Sequence, residues 1–175
     1  LGATLTVKVE GITRTAQRGR YTAHLRIESE QGVQFLHGRW DRSDEVNFRG
    51  LRPDATYTLW IGGLPGGKYV SQKGVRAQRT TLNVTPVQGG SITGVVKWPA
   101  EAGTMRHVNV NAYRRDGHGA STNVDLETGR FTITGLPDAE WTLAAHGWGE
   151  GTGSWQGQVK GAVGGEVEIV LKAQK

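Results

Sequence analysis

The sequence predicts an all-β protein built as two tandem seven-stranded antiparallel β-sandwiches, domain 1 over residues 1–87 and domain 2 over residues 88–175. Three observations carry this expectation. The segment Phe131-Thr-Ile-Thr-Gly-Leu-Pro-Asp-Ala-Glu-Trp-Thr-Leu143 has a near copy in Phe48-Arg-Gly-Leu-Arg-Pro-Asp-Ala-Thr-Tyr-Thr-Leu59, so one unit is used twice. Short apolar–polar alternation recurs, while helical periodicity is nearly missing. The 27 glycines in 175 residues supply the tight turns that short strands need.

Each copy reads as an aromatic-led strand, a Gly-Leu step into a Pro-Asp turn, and a second strand. Tyr57 and Leu59, or Trp141 and Leu143, then share a face. Proline presets the backbone for the turn, and aspartate can bond the amides that follow it.

In chain order, residues 4–10 open domain 1 as a strand with Leu5, Val7 and Val9 on one side. Residues 11–20 are polar, carry Arg14, Arg18 and Arg20, and read as a mobile loop. Tyr21, Ala23, Leu25 and Ile27 form the next inward row, leaving His24 and Arg26 outward. Gln31-Gly32 turns into a strand at 33–37, 41–45 reads as a loop, and the first signature begins at Val46. Residues 60–69 are glycine-rich, and a last strand spans 80–85. Pro86-Val-Gln-Gly-Gly-Ser91 pairs a strand breaker with two glycines, the composition of an interdomain connection.

Residues 91–97 open domain 2, and Val108, Val110 and Ala112 mark its next strand. Asp116-Gly117 signals a turn. Thr128-Gly129 supplies a positive-φ position just before the signature. Residues 147–157 read as a glycine-rich loop framed by Trp148 and Trp155. Residues 165–171 close the domain with Val167, Ile169 and Leu171 inward.

Composition narrows the function classes. The net charge of +5 is concentrated in residues 1–88, with 13 Lys and Arg against 7 Asp and Glu. A basic half favours acidic partners or is a solvated surface. The absence of cysteine excludes disulfides and thiolate metal sites. No run approaches the roughly 20 apolar residues of a membrane helix. Leu1 begins directly in a strand-like pattern, so the expectation is a removed signal or an excised piece.

No catalytic constellation stands out, and no cofactor or metal is expected. There is no Gly-x-Ser-x-Gly elbow. The alternating glycines 147, 149, 151 and 153 are followed by no Lys and helix, so they form no phosphate loop. His24, His37, His107, His118 and His146 show no ligand pairing. The strongest binding candidate is Trp148 with Trp155, whose aromatic faces can stack on sugar rings while Glu150, Ser154 and Gln156 supply directional hydrogen bonds. The competing reading has one tryptophan closing the end of the sandwich and the other packing on a neighbouring domain. Trp60, Trp98 and Trp141 read as core or interface residues. A basic patch of Arg39, Trp40, Arg42, Arg49 and Arg52 interleaves cations with an aromatic. No nucleic-acid fold signature accompanies it, so nucleic acid is disfavoured as a partner.

The second half, through Ile92-Thr-Gly-Val-Val, Val108-Asn-Val-Asn-Ala-Tyr and the 128–143 signature, resembles the carboxypeptidase regulatory-like family. That resemblance implies a transthyretin-like (prealbumin-like) sandwich, Ig-like in general architecture, often in tandem and without catalysis. The first half is similar to collagen-adhesin B-type repeats, through Tyr57-Thr-Leu59 followed by Pro65-Gly-Gly-Lys-Tyr69. Both resemblances imply a secreted, periplasmic or cell-surface setting of bacterial type.

The adhesin repeats join a first-strand Lys to a last-strand Asn with the help of a buried acid. Lys8 and Asn83 match the first two positions, but Ile61 stands at the acid position, and domain 2 has Lys97 with Ala145 there and no last-strand Asn. Amide formation then lacks its proton carrier. The urate-pathway hydrolases of the transthyretin-like fold end in Tyr-Arg-Gly-Ser, whereas this chain ends Leu171-Lys-Ala-Gln-Lys175. The expectation is a non-catalytic structural and interaction module of a larger extracytoplasmic assembly, presenting loops to a protein partner or to other domains of a parent chain. The alternative is a carbohydrate-binding module using Trp148 and Trp155.

Overall fold

A computed structural model describes residues 2–12, 21–42, 44–78, 80–150 and 153–174. The arginines at 14, 18 and 20 lie outside the described residues, as do Gly151 and Thr152. The chain is all-β, and among the described residues its only helical element is a single 3-10 turn, Ala100–Ala102. It divides into two compact units, Leu1–Gln88 and Gly89–Lys175.

The first unit contains β1 (Ala3–Val9), β2 (Thr22–Ser29), β3 (Gly32–His37), β4 (Arg39–Trp40) and β5 (Glu45–Leu51). It continues with β6 (Thr56–Leu64), β7 (Lys68–Arg76), β8 (Leu82–Val84) and β9 (Val87–Gln88). One sheet has the order β4-β5-β1-β8 and the other β3-β2-β6-β7-β9. Period-two spacing turns Leu5, Val7, Val46 and Phe48 of one sheet and Leu25, Tyr57, Leu59 and Ile61 of the other into one shared core.

The second unit contains β10 (Gly90–Lys97), β11 (Met105–Tyr113), β12 (Gly119–Asn123), β13 (Arg130–Leu136) and β14 (Glu140–Gly149). After these come β15 (Ser154–Ala162), β16 (Glu166–Val170) and β17 (Lys172–Ala173). Its sheets are β13-β10-β16 and β12-β11-β14-β15-β17. Ile92, Phe131, Ile133 and Ile169 meet Val108, Val110, Trp141 and Leu143 in its core. The described strands number nine in the first unit and eight in the second. Seven in each run three residues or more, and β4, β9 and β17 are two-residue edge pieces.

The repeated signature has the same structural job in both units. Its glycine adopts positive φ, +73° at Gly50 and +77° at Gly135. At both places the pairing register slips, between Phe48 and Leu51 and between Thr134 and Leu136. A glycine is favoured there because a side chain resists that conformation at a bulge. A second glycine packs on each bulge: a Cβ on Gly2 would stand 2.6 Å from the Gly50 Cα, and one on Gly89 2.6 Å from the Gly135 Cα. The aromatic that follows ties the turn down. The Arg52 N–H donates to the Tyr57 hydroxyl at 2.8 Å, and the Trp141 indole N–H donates to the Pro137 carbonyl at 3.1 Å.

Three glycine-rich segments prove to be largely strand. The glycine-rich 60–69 stretch continues β6 to Leu64 and turns only at Pro65-Gly66-Gly67, where both glycines have positive φ. The 147–157 stretch is the β14–β15 hairpin, with both tryptophans inside strands. Its glycines make room for packing and leave the strands unbroken: a Cβ on Gly147 would collide with Met105, and one on Gly157 with the Val170 carbonyl and, at 2.9 Å, with Ile169. The 86–91 connection is largely strand, because β9 pairs with β7 and β10 begins at Gly90.

Candidate functional site

The β14–β15 hairpin separates the two tryptophans proposed as a platform. Trp148 lies opposite Ser154, and Gly147 lies opposite Trp155. Opposed residues share a face, so Trp148 and Trp155 point to opposite sides of the sheet. Trp148 is 53% exposed, while Trp155 is 8% exposed and belongs to the core. Trp155 is therefore removed from the ligand-binding set. Glu150 sits in the turn with its carboxylate 3.4 Å from Arg106, and the Ser154 hydroxyl donates to Gln174 at 2.7 Å. Gln156 is exposed on the Trp148 side, opposite His146.

That outer face of the five-stranded sheet joins Trp148, Ser154 and Gln156 to residues the sequence motifs did not mark. Its rows run His107–Trp148–Ser154, Asn109–His146–Gln156, Asn111–Ala144–Gln158 and Tyr113–Thr142–Lys160. The signal was present in the alternation. With Val108, Val110 and Ala112 inward, Asn109, Asn111 and Tyr113 must face outward. His107 lies beside Trp148 with ring centroids 6.2 Å apart, and Tyr113 is 43% exposed. Ala144, the smallest side chain on this face, is nearly covered by its longer neighbours. It floors a trough of about 530 Å³ walled by Tyr113, His146, Gln156, Gln158 and Lys172. A second depression of about 790 Å³ adjoins it at Tyr113 and Gln158.

The electrostatics of the face are specific. Arg114 pairs with Asp116 at 3.0 Å and Lys160 with Glu140 at 2.9 Å. Lys172 and Arg115, which line the two depressions, enter no ion pair among the described residues. On β15, Ser154 and Lys160 are engaged by Gln174 and Glu140, whereas Gln156 and Gln158 between them make no side-chain hydrogen bond among the described residues. Amides both donate and accept, so the face offers both halves of a hydrogen bond.

The basic patch is not assembled around an exposed aromatic. Trp40 turns inward onto the core and meets the Tyr21 ring edge-on at 5.5 Å. Arg39 points outward and lies 3.4 Å from Asp41. Arg42, Arg49 and Arg52 are exposed, after β4, on β5 and just after β5 respectively. Lys8 and Asn83 are register partners on the parallel β1–β8 pair, but Lys8 is 53% exposed and 4.0 Å from the solvated Asp44. Ile61 is fully buried at the acid position. Among the described residues no cluster of three or more His, Asp or Glu is placed to hold a metal.

No protein-family model matches the chain, and no curated protein matches it. Among solved structures it is similar to the Bacillus anthracis TIE protein, at 11% identity and a TM-score of 0.34 over 98% of this chain and 34% of that one. A leucine-rich repeat protein from Bacteroides thetaiotaomicron gives 11% and 0.32 over 98% and 26%. The shaft pilin SpaA from Lactobacillus rhamnosus GG gives 12% and 0.33 over 98% and 97%. At these scores the likeness assigns no function. The chain spans about a third and a quarter of the first two proteins.

Proposed function

We propose that the chain is a non-catalytic structural and interaction module of a larger extracytoplasmic or cell-surface assembly. In this reading two tandem seven-stranded, prealbumin-like sandwiches, divided near residues 87 and 88, carry a contact surface, and that surface is the outer face of β11, β14 and β15. A sheet face takes the place of the loops as the presenting element. The observation that carries the proposal is the exposure of Trp148 and Tyr113 on a face where Gln156 and Gln158 make no side-chain hydrogen bond among the described residues. Large exposed aromatics amid uncommitted polar groups mark a binding surface. The extracytoplasmic setting is supported by the resemblance of the 128–143 and 57–69 segments to secreted and surface modules.

Protease treatment of intact source cells, combined with osmotic-shock fractionation, tests this placement. Peptides of this chain are expected in the shaved or shock-released fraction. Their confinement to the cytosolic fraction would contradict the proposal. The carbohydrate reading stands on Trp148 and its neighbours, because Trp155 is in the core.

A further inference from the structure

We infer that the outer face of β11, β14 and β15 binds an extended polysaccharide bearing sparse carboxylates, such as one in which uronate and neutral sugars alternate. The inference rests on the reading of this face as the contact surface and names what it contacts.

Shape comes first. From Trp148 to Thr142 the face runs six residues along β14, or about 20 Å at the strand rise of ~3.4 Å per residue. The two depressions meet at Tyr113 and Gln158, so the trough follows the sheet face past Ala144. A linear chain fits such a trough. A peptide joining the sheet as a further strand would need backbone groups at a sheet edge, whereas this surface is made of side chains.

Chemistry narrows the ligand further. Gln156 and Gln158 can each donate and accept, and Asn109 is held in place by its donation to the Thr122 carbonyl at 2.9 Å. Ligands dense in hydroxyls use that dual capacity. The half-exposed indole of Trp148, flanked by His107, offers an aromatic face to the apolar side of a sugar ring.

Charge decides between neutral and acidic sugars. Asp116 and Glu140 are matched by Arg114 and Lys160, leaving Lys172 beside the first depression and Arg115 beside the second without an acid partner among the described residues. Two separated cations joined by neutral amides complement widely spaced negative charges. A nucleic acid carries a phosphate at every step and is bound by neutralising several at once.

The test is calorimetric titration of the whole chain with hyaluronan oligomers, in which uronate alternates with a neutral amino sugar, a neutral glucan of similar length and poly-glutamate. The wild type is compared with Trp148→Ala, Gln158→Ala and Lys172→Gln, each checked for an unchanged melting curve. The expected result is binding of the uronate oligomers above the glucan, weakened roughly tenfold or more by Trp148→Ala and by Gln158→Ala. Lys172→Gln should lower uronate affinity and flatten its salt dependence. The inference is overturned by an absence of uronate binding, by uronate binding insensitive to Trp148→Ala and Gln158→Ala, or by equal glucan binding untouched by Lys172→Gln. Binding of poly-glutamate alone overturns the polysaccharide while leaving the contact-surface reading in place. Recovery of the chain from the cytosol would strike that reading's placement and leave the titration result standing.

Discussion

Replacing Trp141 by alanine is expected to remove about 3–5 kcal/mol of stability, the cost of truncating a large aromatic in a packed core. Trp141 is 1% exposed, its indole N–H reaches the Pro137 carbonyl at 3.1 Å, and the Arg114 guanidinium lies 5.5 Å from its ring centroid. Trp141→Phe separates the contributions. It keeps much of the apolar contact and drops the hydrogen bond, whose net worth is about 0.5–1.5 kcal/mol. Against a total stability of roughly 5–15 kcal/mol, the alanine change is a large fraction. At about 4–8 °C per kcal/mol for a unit of this size, it lowers the melting temperature by roughly 12–40 °C. Trp148, seven residues on in the same strand, faces solvent, and Trp148→Ala should stay within about 0.5 kcal/mol. Urea unfolding followed by far-ultraviolet circular dichroism gives both numbers. A Trp141→Ala loss below about 1 kcal/mol, or equal losses at the two positions, would refute the facing assigned to β14.

Three further outcomes follow from single contacts. Tyr57→Phe takes away the acceptor of the Arg52 N–H and should cost about 1–2 kcal/mol in the same unfolding assay. Gly129→Ala places a Cβ 2.6 Å from the Val96 carbonyl oxygen at a φ of +70°, so a loss of at least about 1–2 kcal/mol is expected from the left-handed backbone alone. Asp125 has its carboxyl held below the usual carboxylate range, first by the Glu127 backbone N–H and then by Thr128. Its folded pKa lies below its unfolded one, so its contribution is present above about pH 4 and fades as pH falls through the depressed value. Melting curves of wild type and Asp125→Asn taken down the acid range should therefore converge at low pH.

The duplicated signature made the fold legible, because each of its residues answers a local demand. The glycine meets the bulge, and the aromatic bonds back to the turn that follows it. Strand alternation likewise fixed which of Leu5, Val7, Val108 and Val110 point inward. The glycines were harder to read. Gly147 and Gly157 look like loop residues until Met105 and the Val170 carbonyl, brought close by folding, are seen to need the space. The facing of Trp155 depends on the register of the β14–β15 hairpin, which the turn length sets and composition does not. Most of the outer face escaped notice because β11 stands well apart in sequence from the β14–β15 hairpin. Their alternation carried the information, but the order of the strands in the sheet was needed to bring them together.

Hydroxyl-radical footprinting tests most directly whether the face around Trp148 is the contact surface. The purified chain and the same chain within its native assembly would be oxidised in parallel and compared at Trp148 and Tyr113. The account predicts that both residues react readily in the purified chain and are protected in the assembly. Equal oxidation of both residues in the two samples, with protection elsewhere on the chain, would contradict it.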